Sequence, residues 1–228
     1  SISKRSNALY DIDGVPMFNV AKEAGTEFSS QGTTDPVADI NPEDIESMTV
    51  LTGAAAAALY GSSAANGAIV ITTKKGQQGK TSVTVSSNTD MYRPFVLPRF
   101  QNRYGTGDYS SSEGSIVRSW GNRLNETNYM GYDPARDYFQ LGITGTESVS
   151  LSTGTEKNQT YLSAAAVNSR GNIPNNSYNR YNFTFRNTTS FLDDRMTLDV
   201  TASYIMQNDR NMTNQGVYNN PVVGAYLF

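Results

Sequence analysis

The sequence predicts an all-β membrane fold: a partial transmembrane antiparallel β-barrel of about five strands that follows a small α+β unit. Three observations lead to this prediction. After residue 80, apolar and polar side chains alternate over lengths that suit a membrane crossing, about 9–11 residues per strand. The links between these strands are alternately long and short. The longest apolar runs, over 54–60 and 68–71, fall far below the roughly 20 residues that a spanning helix needs.

The amino-acid composition excludes several classes of function. The 228 residues include no cysteine and no histidine, so this chain holds no thiolate or imidazole metal site and no histidine-based catalytic triad. The net charge is −3, and no basic run is longer than Lys74-Lys75, so nucleic-acid binding has no electrostatic support. The 14 tyrosines suit membrane girdles or sugar-contacting surfaces, although ordinary strand preference explains them equally well.

The first 80 residues favour a small α+β unit. Asn41 can cap a helix and Pro42 fits its first turn, with two acidic residues at the positive end of the helix dipole. Gly61 and Gly67 stand where the chain must reverse. The predicted elements are a strand over 9–17 that ends in a glycine-proline turn, an exposed polar loop over 19–38, a helix over 42–47, a strand over 48–51, a helix over 53–60 and a strand over 67–74.

From residue 81 the apolar period becomes two, which is the period of a strand that separates two environments. The segment 178–191 gives the clearest pattern, with Tyr181, Phe183 and Phe185 on one parity and Arg180 and Arg186 on the other. The predicted strands cover 81–90, 147–153, 159–169, 178–191 and 196–207.

The two arginines favour a membrane over water. An arginine that faces lipid at the bilayer midplane costs about 2–4 kcal/mol. Arg180 and Arg186 share their parity with Asn182 and Thr184, so all four side chains can point into a polar lumen while the aromatic parity meets lipid. A soluble β-sandwich shows similar alternation and stays open as an alternative.

Link lengths favour the barrel over the sandwich. The links over 91–142 and 208–220 are long and polar, whereas those over 154–158 and 192–195 are short, so the long links share one side of the sheet. Five strands cannot close a membrane barrel, because the smallest have about eight. The chain also opens at Ser1 without an initiator methionine or a signal segment. We therefore expect it to be part of a longer protein.

The region 41–76 carries a family resemblance. It contains NPEDIES, then VLTGAAAAALYGSSAANGAIVITTKKG, and it resembles the end of the plug domain in SusC/RagA-type, TonB-dependent outer-membrane transporters. Segments over 9–17, 95–107, 119–124, 138–142, 171–175 and 218–221 are similar to further family elements in the same order. The sequence departs from the family pattern at Asp11, Thr52, Ser63 and Asn122, none of which replaces a structural glycine.

The resemblance implies a fold and a function. Residues 1–80 would form the C-terminal part of a plug domain, and residues 81–228 the first strands and external loops of the barrel. The function implied is active import of a bulky nutrient, an oligosaccharide or a peptide, across the bacterial outer membrane, without enzymatic chemistry and without a cofactor. The implied partners are a SusD-like surface lipoprotein and the TonB complex, with transporter–lipoprotein pairs associating as dimers.

Two alternatives remain at this point. The first is a surface adhesin or glycan-binding β-protein without transport activity. The second is a signalling relative that senses its substrate through a domain upstream of Ser1.

The candidate site residues are aromatic. They lie in the long external link and could stack on sugars or cover a bound peptide, or could pack that link against itself or the lid protein: Tyr104, Tyr109, Trp120, Tyr129 and Tyr132. Asp11 and Asp13 precede Gly14 as in a calcium loop, but the other ligand positions are missing, so no metal site is predicted. No pair of carboxylates is placed for glycoside hydrolysis, and no catalytic residue is predicted.

Overall fold

The computed structural model describes residues 8–17, 37, 40–79, 81–99, 101, 103–106, 119–125, 133–213 and 220–227. Two sheets account for most of these residues: a small sheet near the N-terminus and a large sheet after it. Among the helices in the described part of the chain, none has the length and apolar character needed to cross a membrane.

The small sheet has four strands in the order β2-β1-β4-β3. β1 runs parallel to β4, and the other two pairs are antiparallel. Its elements are β1 (Leu9–Ile12), β2 (Val15–Met17), a 3-10 turn (Pro42–Asp44), β3 (Ile45–Leu51), α1 (Gly53–Tyr60), a second 3-10 turn (Gly61–Ala64) and β4 (Ala68–Thr73). Small side chains let α1 approach the sheet closely: Ala56, Ala64 and Ala68 are fully buried against Leu9.

Two details of the small sheet differ from the sequence prediction. The predicted strand over 9–17 is a hairpin, because Asp13 and Gly14 adopt left-handed backbone angles and reverse the chain. The predicted helix over 42–47 is wrong beyond Asp44. Asn41 caps the turn through its side chain as expected, but Ile45 already pairs with Thr73 of β4, and this pairing ends the helical turn.

The large sheet has five antiparallel strands in the order β11-β10-β9-β8-β5. The elements after residue 80 are β5 (Ser82–Tyr92), β6 (Tyr104–Thr106), β7 (Ser119–Arg123), α2 (Pro134–Asp137), β8 (Gly142–Gly154), β9 (Asn158–Arg170), β10 (Ser177–Phe191), β11 (Met196–Arg210) and α3 (Pro221–Leu227). All five predicted strands are present, each extended at one or both ends. The antiparallel pair of β6 and β7 was not predicted, nor were α2 and α3.

The large sheet has one apolar face and one polar face. On the apolar face, Phe183 is 54% exposed and Val85 and Tyr204 are also exposed. On the polar face, Arg186 of the same strand as Phe183 is only 5% exposed, because the small sheet lies against it. An uncovered apolar face opposite a covered polar face is the reverse of a soluble sandwich. The face assignment made from the sequence is therefore confirmed.

Candidate functional site

The described residues form a site where the small sheet meets the polar face of the large sheet. We call this contact the seam. Two carboxylates from the small-sheet unit, Asp44 and Asp13, reach across it, and each finds a different kind of partner on the strands opposite.

Asp44 enters a group of hydroxyls. It ends the turn that begins at Asn41, where its amide N–H donates to the Asn41 carbonyl at 2.9 Å. Its side chain is buried, and its two oxygens accept hydrogen bonds from Tyr161 at 2.9 Å and from Ser163 at 2.8 Å. Thr184 donates a third bond at 3.1 Å. All three partners are neutral hydroxyls, which satisfy a buried carboxylate without a counter-charge.

Strand register brings these hydroxyls together. Tyr161 and Ser163 are two residues apart on β9 and therefore share a face. Thr184 of β10 lies directly opposite Ser163 in the antiparallel ladder. The group can form only with this register, since a slip of one residue would turn one strand's hydroxyls to the lipid side.

The second carboxylate is positioned by a turn. Asp11 accepts a hydrogen bond from the Gly14 amide at 2.8 Å, which closes the hairpin and holds Asp13 at a left-handed φ of 52°. Asp13 then accepts bonds from the amide and the hydroxyl of Thr73, at 2.9 and 2.5 Å. The acidic residue at position 11 thus has a structural role, and the two carboxylates take separate partners.

Arg186 joins Asp13 to the large sheet. Its Nη1 donates to Asp13 at 3.1 Å and to the Thr73 hydroxyl at 2.7 Å. Its Nε and Nη2 form a bidentate pair with Asp199 of β11, at 3.0 and 2.7 Å. The planar guanidinium offers five N–H donors, and this arrangement uses both of its edges. Lys75 adds a longer contact of 3.6 Å to Asp199.

The chain leaves the small sheet through a close approach to β9. A Cβ atom on Gly76 would lie 2.7 Å from the carbonyl oxygen of Thr160, so no larger residue fits there without displacement. The next amide, of Gln77, donates to Ser152 at 3.0 Å. A polar cleft of about 240 Å³ lies beside this passage, with Glu46, Lys74 and Tyr161 among its lining residues.

Two of the aromatic residues proposed from sequence, Tyr104 and Trp120, lie in the described part of the chain, and neither is among the seam contacts given above. Tyr104 is on β6, where Gln101 accepts from its amide and donates to its carbonyl, at 2.9 and 2.8 Å. Its side chain is 39% exposed. Trp120 lies on β7, which pairs with β6. Tyr109, Tyr129 and Tyr132 lie outside the described residues.

The end of the same long link is fixed by a short helix. Asp133 caps α2 by accepting from the Ala135 amide at 3.1 Å. Arg136 donates to Asp137 at 2.7 Å, and this hydrogen bond lowers the pKa of Asp137 to about 2. Gln140 then donates to the Gly171 carbonyl at 2.9 Å, which ties the link to the loop between β9 and β10.

The sequence reasoning missed the seam as a site. It placed Arg186 and Thr184 on a lumen-facing parity, and it gave Asp44 only a role at a helix terminus. The sequence of β10 indicated part of this site. Its polar face carries two arginines, an asparagine and a threonine, and such side chains need polar partners when the face is covered. Which partners these are depends on contacts more than 100 residues apart in sequence, as between Asp44 and Tyr161.

Comparison with known proteins agrees with this architecture. A family model described as TonB-dependent Receptor Plug Domain matches residues 2–68, a range that includes Asp13 and Asp44. The TonB-dependent receptor SusC of Bacteroides thetaiotaomicron is 26% identical over 211 residues, which cover 92% of this chain and 20% of the relative. The chain belongs to the SusC/RagA family of TonB-dependent receptors.

Further relatives of this TonB-dependent receptor support the same fold. TonB-dependent receptor P39 of Formosa agariphila is 31% identical over 183 residues, which cover 74% of this chain and 16% of the relative. A solved structure described as the RagAB peptide importer in the 'closed-closed' state superposes with a TM-score of 0.64 at 21% identity, over 90% of this chain and 25% of that chain. The 'open-open' state gives a TM-score of 0.61 at 20% identity, over 92% of this chain and 25% of that chain.

The family also indicates the cellular location of this receptor. TonB-dependent receptors of the SusC and RagA type are outer-membrane proteins, so the strands of the large sheet are part of a transmembrane β-barrel. The chain spans about a fifth of the length of the curated relatives that it matches. The resemblance inferred from residues 41–76 is confirmed, and the soluble sandwich is excluded.

Proposed function

We propose that the receptor to which this chain belongs imports a bulky nutrient, an oligosaccharide or a peptide, across the outer membrane with energy delivered through TonB. In this proposal, residues 1–80 belong to a plug domain, and residues 81–228 form the first strands and external loops of the barrel around it. No covalent chemistry on the cargo is proposed.

The observation that carries the proposal is the seam. The small sheet has its own hydrophobic cluster and lies against the polar face of the large sheet, where buried polar contacts at Asp44 and Arg186 hold it rather than an apolar interface. Polar contacts of this kind exchange for water contacts when two surfaces separate, whereas an apolar core resists exposure to water. A plug that must both close a lumen and move within it needs such a surface.

Proposed partners follow from the family. A SusD-like lipoprotein would cover the external side, where the long links lie, and pairs of receptor and lipoprotein would associate as dimers. The loop aromatics Tyr104, Tyr109, Trp120, Tyr129 and Tyr132 are proposed to contact cargo on that side. Tyr104 supports this role because it is exposed on β6, a short strand whose backbone is fixed by Gln101 at this residue.

Uptake measurements test the proposed function. Cells that express the full-length receptor with its neighbouring lipoprotein should accumulate labelled oligosaccharides or peptides, and this accumulation should stop when TonB is deleted or the proton-motive force is collapsed. Binding of a ligand to the cell surface that continues without TonB, with no accumulation of any cargo, would instead identify a glycan-binding adhesin.

A further inference from the structure

Arg186 forms the ion pairs that join the two sheets at the seam. Its side chain is 6% exposed, and it contacts one carboxylate from each side: Asp13 from the small sheet and Asp199 from the large sheet. We propose that Arg186 is the positioning residue that keeps the plug seated, and so keeps the channel closed in the resting receptor. This inference rests on the proposed function, because it assumes that the small-sheet unit closes a lumen.

Asp13 and Asp199 share the guanidinium of Arg186. Both carboxylates lie within hydrogen-bond distance of the same guanidinium, Asp13 at 3.1 Å and Asp199 at 2.7 Å, so they are close to each other. With Arg186 in place their charges are shared by one cation. Without it, two partly buried anions face each other across the seam, and like charges in such a setting repel strongly. Lys75 cannot replace Arg186, because its 3.6 Å contact is to Asp199 alone and its side chain is half-exposed.

Arg186 also binds the ends of two strands of the small sheet. Asp13 directly follows β1, and Thr73 is the last residue of β4. These are the two central strands of the small sheet, and they run parallel, so both end at the same edge. Arg186 contacts the side chain of Asp13 at the end of β1 and the side chain of Thr73 at the end of β4. Arg186 therefore holds the carboxyl ends of both central strands of the small sheet.

Asp44 makes a different kind of contact across the seam. That carboxylate is held by three neutral hydroxyls, so removal of any one of them weakens the contact without creating repulsion. Removal of Arg186 turns an attraction into a repulsion. The contacts of Asp44 and those of Arg186 are therefore unequal. The contacts of Arg186 control whether the plug stays against the barrel strands.

The test measures leak through the full-length receptor in lipid bilayers and in cells. Arg186→Gln should raise the frequency of open-channel events at least about tenfold, a change equivalent to about 1.4 kcal/mol. The same cells should become sensitive to a large antibiotic that the outer membrane normally excludes. Arg186→Lys, which keeps the charge but loses the bidentate geometry, should leak less than Arg186→Gln.

A double variant separates repulsion from simple loss of a contact. In Arg186→Gln with Asp13→Asn, one of the two facing anions is gone, so the leak should fall below that of Arg186→Gln alone although more contacts have been removed. Arg195→Gln is the matched control, because it removes the same charge from the exposed turn between β10 and β11, and it should leave the receptor closed.

Each outcome decides the matter. A folded Arg186→Gln receptor that stays closed, or a double variant that leaks as much as the single variant, overturns the inference. If Arg186→Gln does not insert, Asp13→Asn alone is compared with Arg195→Gln, and an Asp13→Asn receptor that is equally tight overturns it. A full-length receptor that lacks its whole plug domain, residues 1–80 included, gives the largest leak expected: if it does not conduct, the proposed function fails rather than the role of Arg186.

Discussion

At the residue scale, Asp44 shows how a buried charge is stabilised without a cation. Its position follows from a capped turn, and its partners follow from the pairing of β9 with β10. Replacement by alanine removes the shared acceptor of three hydroxyls and leaves Tyr161 and Ser163 buried without it. Each buried polar group left unsatisfied costs about 1–3 kcal/mol.

For Asp44→Ala we expect faster hydrogen exchange of the β3 and β4 amides in the full-length receptor, equivalent to a loss of about 1–3 kcal/mol in the free energy of local opening. Glu43→Ala is the matched control, since Glu43 is an exposed neighbour whose contact to Ser86 is 3.4 Å long. Equal exchange rates in the two variants would show that the hydroxyl group does not stabilise the plug.

Tyr161→Phe tests one of the three donors. The ring stays in place and only the hydroxyl is lost, so Asp44 keeps its bonds to Ser163 and Thr184. The loss in opening free energy should be near 1 kcal/mol, the usual net value of one hydrogen bond, and smaller than for Asp44→Ala. A larger effect of Tyr161→Phe than of Asp44→Ala, again by hydrogen exchange, would contradict this ranking.

At the element scale, the strands of the large sheet were predictable because their signal is local. The parity of 178–191 predicted β10 to within one residue at its start, and the same parity placed Arg186 on the covered face. The prediction of a helix over 42–47 was wrong beyond Asp44 because a non-local contact determines the structure there. Its first residues carry good capping signals, but the pairing of β3 with β4, which a local pattern does not reveal, takes Ile45 into a strand.

The seam itself could not be predicted from the sequence. Residues such as Asp13, Thr73 and Arg186 meet only after two sheets have folded and docked, and their separations along the chain are 60 and 113 residues. Single-sequence patterns report which face of an element is covered. They do not report what covers it.

The two faces of the large sheet give a test at this scale. Phe183→Arg places a cation on the apolar face of β10, where lipid contact costs about 2–4 kcal/mol near the midplane. We expect a clear loss of folded receptor in the outer membrane, measured as the fraction that shows heat-modifiable migration. Ser148→Arg, on the polar face of β8, is the control and should insert far better. Equal insertion of both variants would mean that the apolar face does not meet lipid.

At the scale of the whole molecule, the seam joins the small sheet to the barrel strands through polar contacts. Two groups of contacts hold the small sheet: the three hydroxyls around Asp44, and the ion cluster of Asp13, Arg186 and Asp199. The large-sheet partners of the first group lie on β9 and β10, and those of the second lie on β10 and β11. One side of the small sheet is therefore bound to the strands of this chain.

Transport should therefore require this side of the plug to separate from the barrel wall. Glu43 and Ser86 face each other across the seam at 3.4 Å without belonging to either buried cluster, and the chain has no natural cysteine. We expect a receptor with both Glu43→Cys and Ser86→Cys to import cargo normally, and to lose import once a short bifunctional thiol reagent has linked the two positions. Cargo binding at the cell surface should be unchanged, because the external loops are untouched. Each single-cysteine receptor treated with the same reagent controls for modification alone. Import that continues at full rate through a receptor shown by mass spectrometry to be linked would mean that cargo passes without this separation, and that the plug moves elsewhere.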